Sequence, residues 1–260
     1  MQTLWLKIQP SVFSITFENA EGRISSGTGF KIGSFLVTNN HVIQTSNAKR
    51  IVIRSVLQDG YSPAIELKFG HLMFRQMLIE GDAVNSWDYA ILKIENPSFL
   101  AAPSLQLEDH DEVSIGSNVA LFGYQFDQPQ LSMHQGNISS QYYKAGVHYI
   151  QLDSSVNHGN SGGPLIDTNT GRVIGLVTRK ATGLTVQFDE LLQSLKKNIN
   201  MLQAMQSGGV FISGLDPVAA TLAIQTQMEH LAREISRSAN VGIGYAYHIR
   251  KVRSSLKNLV

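Results

Sequence analysis

The amino-acid sequence predicts a mainly β protein built as two successive β-barrels, with helices inserted late in the chain. Three observations carry this expectation. Short β-branched and aromatic runs, broken by Gly and Asx turns, fill 11–94. A second set of the same character fills 113–180. After about residue 184 the apolar period turns helical. Many short strands at close spacing indicate barrels or sandwiches rather than an α/β sheet.

The first set opens with Val12-Phe13-Ser14-Ile15-Thr16-Phe17. Ser26–Ile32 and Ser34–Thr38 read as two strands across a tight turn at Gly33. Ile51–Arg54 and Ala64–Phe69 follow, separated by the turn signal Gln58-Asp59-Gly60. Segment 73–86 is less regular and reads as a surface loop, and Asp88–Ile94 is the next strand. In the second set, strands are expected at Asn118–Tyr124, Leu131–Ser139, Tyr149–Asp153, Gly163–Asp167 and Val173–Thr178. Phe188, Leu191, Leu192, Leu195, Ile199 and Leu202 then recur at helical spacing, and Gly208-Gly209 interrupts the pattern. Asp216-Pro217 reads as an N-cap followed by proline at the first helical position. Val218, Leu222, Met228, Leu231 and Ile235 make a second helical stripe. From Asn240 the pattern returns to β through Ile249, and a short basic helix over about 250–259 follows.

Composition narrows the function classes. Of 260 residues, 43% are hydrophobic and 16% charged, with 22 glycines, which suits a folded, turn-rich chain. A net charge of +1 gives no strong field toward nucleic acid or anionic lipid, so neither partner is expected. The absence of cysteine excludes a disulfide framework, thiol catalysis and Cys-based metal sites. Met1–Lys7 lacks the features of a signal peptide, and no run of 18 apolar residues exists. The expectation is a cytoplasmic protein, although a trimmed leader would leave the same sequence.

The chemistry centres on His158-Gly159-Asn160-Ser161-Gly162-Gly163-Pro164-Leu165. A serine hemmed in by glycines suits a sharp bend that aims neighbouring N–H groups at one point. A serine nucleophile needs a base, and the base needs an orienting acid. His41 follows the strand ending at Thr38, and Asp88 opens the strand through Ile94. Asp82 is a nearby rival. Asp88 is preferred because the apolar Tyr89–Ile94 strand would bury its start, and a buried carboxylate must be hydrogen-bonded.

Four stretches together resemble the trypsin-like (chymotrypsin-fold) serine peptidases, and within them the HtrA/Deg group of bacterial peptidases. They are Ser26–Phe30, Val37–Val42, Asp88–Lys93 and Asp153–Leu165, supported by Val173–Leu176 and Gly242–Ala246. The match covers about 11–180 and 240–258.

The resemblance implies two six-stranded antiparallel β-barrels, with a helical insertion before the last strand and a short C-terminal helix. The expected division is 1–105 carrying His41 and Asp88, 106–183 with 240–260 carrying Ser161, and a helical insertion at 184–239. Ser161 would be the nucleophile, His41 the general base and Asp88 its orienter. Gly159 and Ser161 N–H groups, with Asn160 between them, would form an oxyanion hole. A peptide or protein substrate would pair as a strand along Val177, Thr178, Arg179 and Lys180, with a side-chain pocket near Ser155 and Val156. Family members that cut after Lys or Arg carry a carboxylate where this chain has Ser155, so a small or aliphatic preference is expected. Members activated by propeptide cleavage carry Asp where this chain has Asn160, so activation without such cleavage is expected.

No metal or organic cofactor is implied. No PDZ domain is expected after the barrels, and the helical insertion is the expected place for a regulatory partner or self-association. Two alternatives stand beside the peptidase. One is a catalytically silent binding module of the same fold, and the other a protease effector switched on by a partner.

Overall fold

The computed structural model describes residues 1–45, 47–180, 185–205, 216–238 and 242–259. It divides into two compact units, Met1–Lys180 with Gly242–Val260, and Ala181–Val241.

The first unit starts with helix α1 (Gln2–Ile8), which the strand-centred reading of the sequence did not foresee. Strands β1 (Val12–Asn19), β2 (Gly22–Ile32) and β3 (Phe35–Thr38) follow, then the single turn α2 (Asn40–Ile43), β4 (Arg50–Val56) and β5 (Pro63–Gly70). Helix α3 (His71–Gln76), β6 (Leu78–Gly81), β7 (Ala90–Lys93) and α4 (Pro97–Ala101) complete the set. These strands form one seven-stranded sheet, in the order β5-β4-β1-β2-β3-β7-β6. The expected six-stranded closed barrel is therefore corrected here. Segment 73–86, expected as a loop, supplies α3 and an additional edge strand. Helix α3 packs against β4, β5 and β6, and its buried Phe74 meets Phe17 and Phe69. Helix α3 thus connects the two edge strands of the sheet and adds Phe74 to its core.

The second set is a closed barrel of six antiparallel strands: β8 (Asn118–Gly123), β9 (Ser132–Lys144), β10 (Val147–Leu152), β11 (Pro164–Asp167), β12 (Val173–Lys180) and β13 (Gly244–His248). Its last strand pairs on both sides, with β10 and with β12. The expected start of that strand at Asn240 lies outside the described residues.

Alternation along the strands builds the main cores. On β1, Val12 faces one side, while Phe13, Ile15 and Phe17 face the other and fill the first sheet with Ile51, Ile53 and Leu92. Val119, Leu121, Ile150, Leu165 and Val177 fill the second barrel. Between them, Val12, Phe30, Tyr89, Phe122, Leu176 and Ile249 form a shared core that welds the two sheets together. Trp5 of α1 stacks on Phe122 at 6.0 Å and seals one side of this layer.

The second unit is an antiparallel helix pair, α5 (Thr185–Met205) and α6 (Pro217–Ser238). Asp216 Oδ1 accepts from the Val218 and Ala219 N–H groups at 2.9 and 3.1 Å, the expected cap. Leu195, Ile199 and Ala232 are buried between the helices. The expected α6 stripe divides in two. Val218 and Leu222 share the inward face with Ala232, whereas Met228, Leu231 and Ile235 lie about a quarter-turn away and are exposed. The Gly208-Gly209 interruption lies outside the described residues. Helix α7 (Arg250–Leu259) returns to the first unit, burying Val252, Ser255 and Leu256. Among the described residues, no helix is long and apolar enough to cross a membrane.

Candidate active site

His41 rides on α2, the single turn that follows β3. Asp88 stands just before β7, the strand paired with β3. Its φ of 44° is left-handed, a conformation that few non-glycine residues adopt. Hydrogen bonds hold it there. The Asp88 N–H donates to Ala83 O at 3.1 Å, and its carbonyl accepts from Asn40 N at 3.2 Å and from Asn39 Nδ2 at 2.8 Å. The side chain is 2% exposed, so both carboxyl oxygens need partners. They find them on one residue. Oδ1 accepts from the His41 N–H at 2.9 Å, and Oδ2 meets His41 Nδ1 at 2.6 Å. This fixes the imidazole ring and leaves Nε2 without a hydrogen-bond partner among the described residues, on a side chain that is 36% exposed. The rival Asp82 turns its carboxylate to the Ala83 N–H at 2.7 Å and to Ser86 Oγ at 3.3 Å.

Ser161 lies on the turn between β10 and β11, and the first sheet shapes that turn. A Cβ on Gly159, at φ 93°, would sit 2.1 Å from Tyr124 O. One on Gly162, at φ 84°, would sit 2.1 Å from Thr28 O and 3.0 Å from the backbone N of Asn39, two residues before His41. Only glycine fits either position. Thr28, fully buried on β2, ties the turn down. Its N–H donates to Ser161 O at 2.8 Å and its hydroxyl to Gly159 O at 2.6 Å, while the same hydroxyl accepts from Tyr124 N–H at 3.0 Å. Sequence reasoning gave Thr28 no role. Its only signal was its place in the Ser26–Phe30 stretch.

Peptide planarity then sets two directions. The His158 carbonyl accepts from the Phe126 N–H at 2.7 Å, and the Asn160 carbonyl accepts from the Gly163 N–H at 3.0 Å. In a trans peptide the next N–H points the opposite way. The Gly159 and Ser161 N–H groups are therefore turned away from these anchors, and neither has an acceptor among the described residues. The Ser161 hydroxyl donates to Thr178 O at 2.6 Å. Among the described residues it makes no hydrogen bond to His41. Asn160 is fully buried, and neither its Oδ1 nor its Nδ2 has a partner among the described residues.

Strand β12 borders the turn. Val177 is committed to it through Gly162 N–H to Val177 O at 2.8 Å and Val177 N–H to Gly163 O at 2.9 Å. Pairing with β11 ends at Leu176, so among the described residues no strand pairs with the edge beyond Val177 on that side. Thr178 occupies a bulge: Val177 pairs with Ala246 and Arg179 with Tyr245, leaving Thr178 unpaired against β13. Backbone positions Arg179 and Lys180 continue the strand. Ser155 is half-buried. Val156 is buried in the barrel core, and a Cβ on Gly244 would fall 2.3 Å from its Cγ2.

The sequence pattern of the trypsin-like peptidase domain matches residues 26–176, more than half of the chain. The chain belongs to the trypsin-like peptidase family. This family member is 30% identical over 220 residues to the uncharacterized protein y4bJ of Sinorhizobium fredii, covering 82% of its own length and 31% of that protein. It is 28% identical over 215 residues to serine protease HTRA1A of Danio rerio, covering 75% of itself and 40% of the relative. With the periplasmic pH-dependent serine endoprotease DegQ of Escherichia coli it shares 33% identity over 150 residues, which is 55% of this chain and 28% of DegQ. The chain thus spans well under half the length of these relatives. Among solved structures, the HtrA-type protease AlgW with tripeptide superposes with a TM-score of 0.61 at 20% identity, over 100% of this chain and 63% of that one. That likeness concerns the fold.

Proposed function

We propose that this trypsin-like peptidase-family chain is a serine endopeptidase acting through an acyl-enzyme. The observation that carries the reading is the 2.6 Å contact between His41 Nδ1 and the buried Asp88 carboxylate, beside a glycine-bent serine turn. In this reading His41 Nε2 takes the Ser161 hydroxyl proton as Oγ attacks the peptide carbonyl carbon. The carbonyl oxygen becomes an oxyanion held by the Gly159 and Ser161 N–H groups. His41 then passes its proton to the leaving amine, and the peptide C–N bond breaks. Water repeats the sequence on the acyl-enzyme and releases the acid. Asp88 keeps the imidazole in the required tautomer and stabilises its cation. The reaction requires no cofactor. The division proposed above places His41 and Asp88 in 1–105 and Ser161 in 106–183.

The substrate is a protein or peptide in extended form, added to the open edge at Thr178, Arg179 and Lys180 beyond Val177. With Ser155 supplying no charge and Val156 packed against Gly244, small or aliphatic side chains are favoured before the scissile bond. The uncharged, buried Asn160 supports activation without propeptide cleavage, because it offers no charge for a new N-terminal ammonium.

One observation favours a regulated rather than a constitutively poised enzyme. The Ser161 hydroxyl carries a single proton, and Thr178 O holds it. An incoming substrate or a partner must free it before His41 can accept it. The exposed Met228, Leu231 and Ile235 face of α6 supports the helix pair as the place for such a partner or for self-association.

Fluorophosphonate labelling tests the central reading. Ser161 should label, and Ser161→Ala should abolish both labelling and peptide cleavage, a fall of at least about 10³-fold. A chain that never labels, with or without substrate peptide, is a silent binding module instead.

A further inference from the structure

Helix α7 concentrates positive charge beside the acid of the candidate triad. Residues 250–259 hold Arg250, Lys251, Arg253 and Lys257 and no acidic side chain. The whole chain carries +1, so everything else sums to −3 (+1 − 4). A cavity of about 460 Å³ opens along this helix, lined by Trp87, Asp111, Ser254 and the four cations.

Among the described residues, one of the four cations makes an ion pair. The Arg253 guanidinium binds the Asp111 carboxylate and the Glu108 carbonyl. Arg250 lies over the Trp87 ring at 5.2 Å and the Tyr143 ring at 5.3 Å, and has no carboxylate within ion-pair distance among the described residues. The same holds for Lys251 and Lys257. Three cations therefore face one cavity without an ion-pair partner among the described residues, with Asp111 and Asp109 acting on Arg250 and Lys257 only at longer range, and the aromatic rings hold Arg250 in a fixed orientation.

The spacing says what would fit. Arg250, Arg253, Ser254 and Lys257 fall at i, i+3, i+4 and i+7, one face of the helix about 10 Å long. The Arg250 guanidinium, the Ser254 hydroxyl and the Lys257 ammonium strung along that length, with Arg253 held by Asp111 and the Lys251 ammonium lining the cavity from the adjoining face, suit a linear anion with several phosphoryl groups. They suit a single orthophosphate poorly. We propose that this cavity is a binding site for a short oligophosphate chain.

The site also has a route to the chemistry. Both neighbours of Asp88 touch α7. Trp87 lies under Arg250, and the Tyr89 hydroxyl shares a hydrogen bond of 2.8 Å with Ser255 Oγ. An occupant of the cavity is thus one residue from the carboxylate that orients His41.

Trp5 and Trp87 are the two tryptophans of the chain, so Trp5→Phe leaves Trp87 as a single reporter. Titration of that variant with tripolyphosphate at constant ionic strength should give a saturable change in Trp87 fluorescence. Paired substitution of Lys251→Gln and Lys257→Gln should weaken the apparent affinity by about tenfold or more. The unaltered protein provides a second readout, because tripolyphosphate should raise its melting temperature and orthophosphate at equal ionic strength should not. The proposal is overturned if tripolyphosphate acts no differently from chloride or orthophosphate. It is equally overturned if the lysine substitutions leave affinity unchanged, or if single-stranded nucleic acid binds where tripolyphosphate does not.

Discussion

Thr28 shows how a residue without chemistry of its own can decide the chemistry beside it. Its hydroxyl donates to Gly159 O and accepts from Tyr124 N–H, so one oxygen satisfies two buried backbone groups from different loops. Thr28→Val keeps the shape and strands both groups. That should cost about 2 kcal/mol or more of stability, since a buried unsatisfied polar group is expensive. Because the Gly159 peptide is one wall of the proposed oxyanion hole, the same variant should lower kcat more than it raises KM, with Thr28→Ser restoring most of the rate. Equal effects of Val and Ser in peptide-cleavage kinetics would show that the hydroxyl does not position the turn. His41, Asp88 and Ser161 could be singled out in the sequence because their residue types suit the proposed chemistry. The preference for Asp88 over Asp82 followed from burial, and the structure pairs Asp88 with His41. Thr28 was not legible in this way, because its partners are backbone groups 96 and 131 residues distant that any sequence would supply. The hold of Thr178 O on Ser161 was illegible for the same reason.

At the scale of elements, the late strands were foreseen from their β-branched runs, but the side chains they bring together were not. Tyr149 pairs with Tyr247 across β10 and β13, which sets His148 against His248 in the next register position. The two rings stack at 4.7 Å and 4°. The Arg250 N–H donates to His248 Nδ1, so the ring proton of neutral His248 resides on Nε2. Burial, then the His148 ring beside it, lowers the His248 pKa to about 4. Arg250 and Arg253 on α7 act in the same direction, and Asp111 opposes them. The unfolded chain would protonate this histidine near pH 6.5. Between pH 6.5 and about 4 the unfolded state therefore binds more protons than the folded state. The contribution to stability is complete above pH 6.5 and is lost as pH falls toward 4. The expected loss from this group between pH 7 and pH 5 is about 2 kcal/mol. His248→Asn keeps an acceptor for the Arg250 N–H and cannot titrate. Urea unfolding at the two pH values should show a clearly smaller loss for the variant. Parallel losses in variant and parent would place the acid sensitivity elsewhere.

For the whole molecule, the sequence marked the change from strands to helices near residue 184 and the return to β before the last strand. It did not show that the first sheet would stay open, because α3 and β6 arise in a segment whose pattern favours no single period. The insertion has a consequence that the pairing of β12 with β13 makes concrete. Lys180 and Gly244 are direct cross-strand partners, so their Cα atoms stand about 5 Å apart. A two-residue turn spans such a gap. The barrel thus needs nothing from the intervening chain to close, because β13 already pairs on both sides. Replacing 181–243 with Asn-Gly should leave a cooperatively unfolding protein with the β content of the parent, as measured by circular dichroism during heating. Its Ser161 should still react with a fluorophosphonate. If the helix pair governs the hold of Thr178 O on the nucleophile, the labelling rate should change while the barrel transition stays in place. An unfolded product would mean that the barrel depends on the helices for stability. A folded product with unaltered labelling and cleavage rates would remove the helix pair from the control of the site.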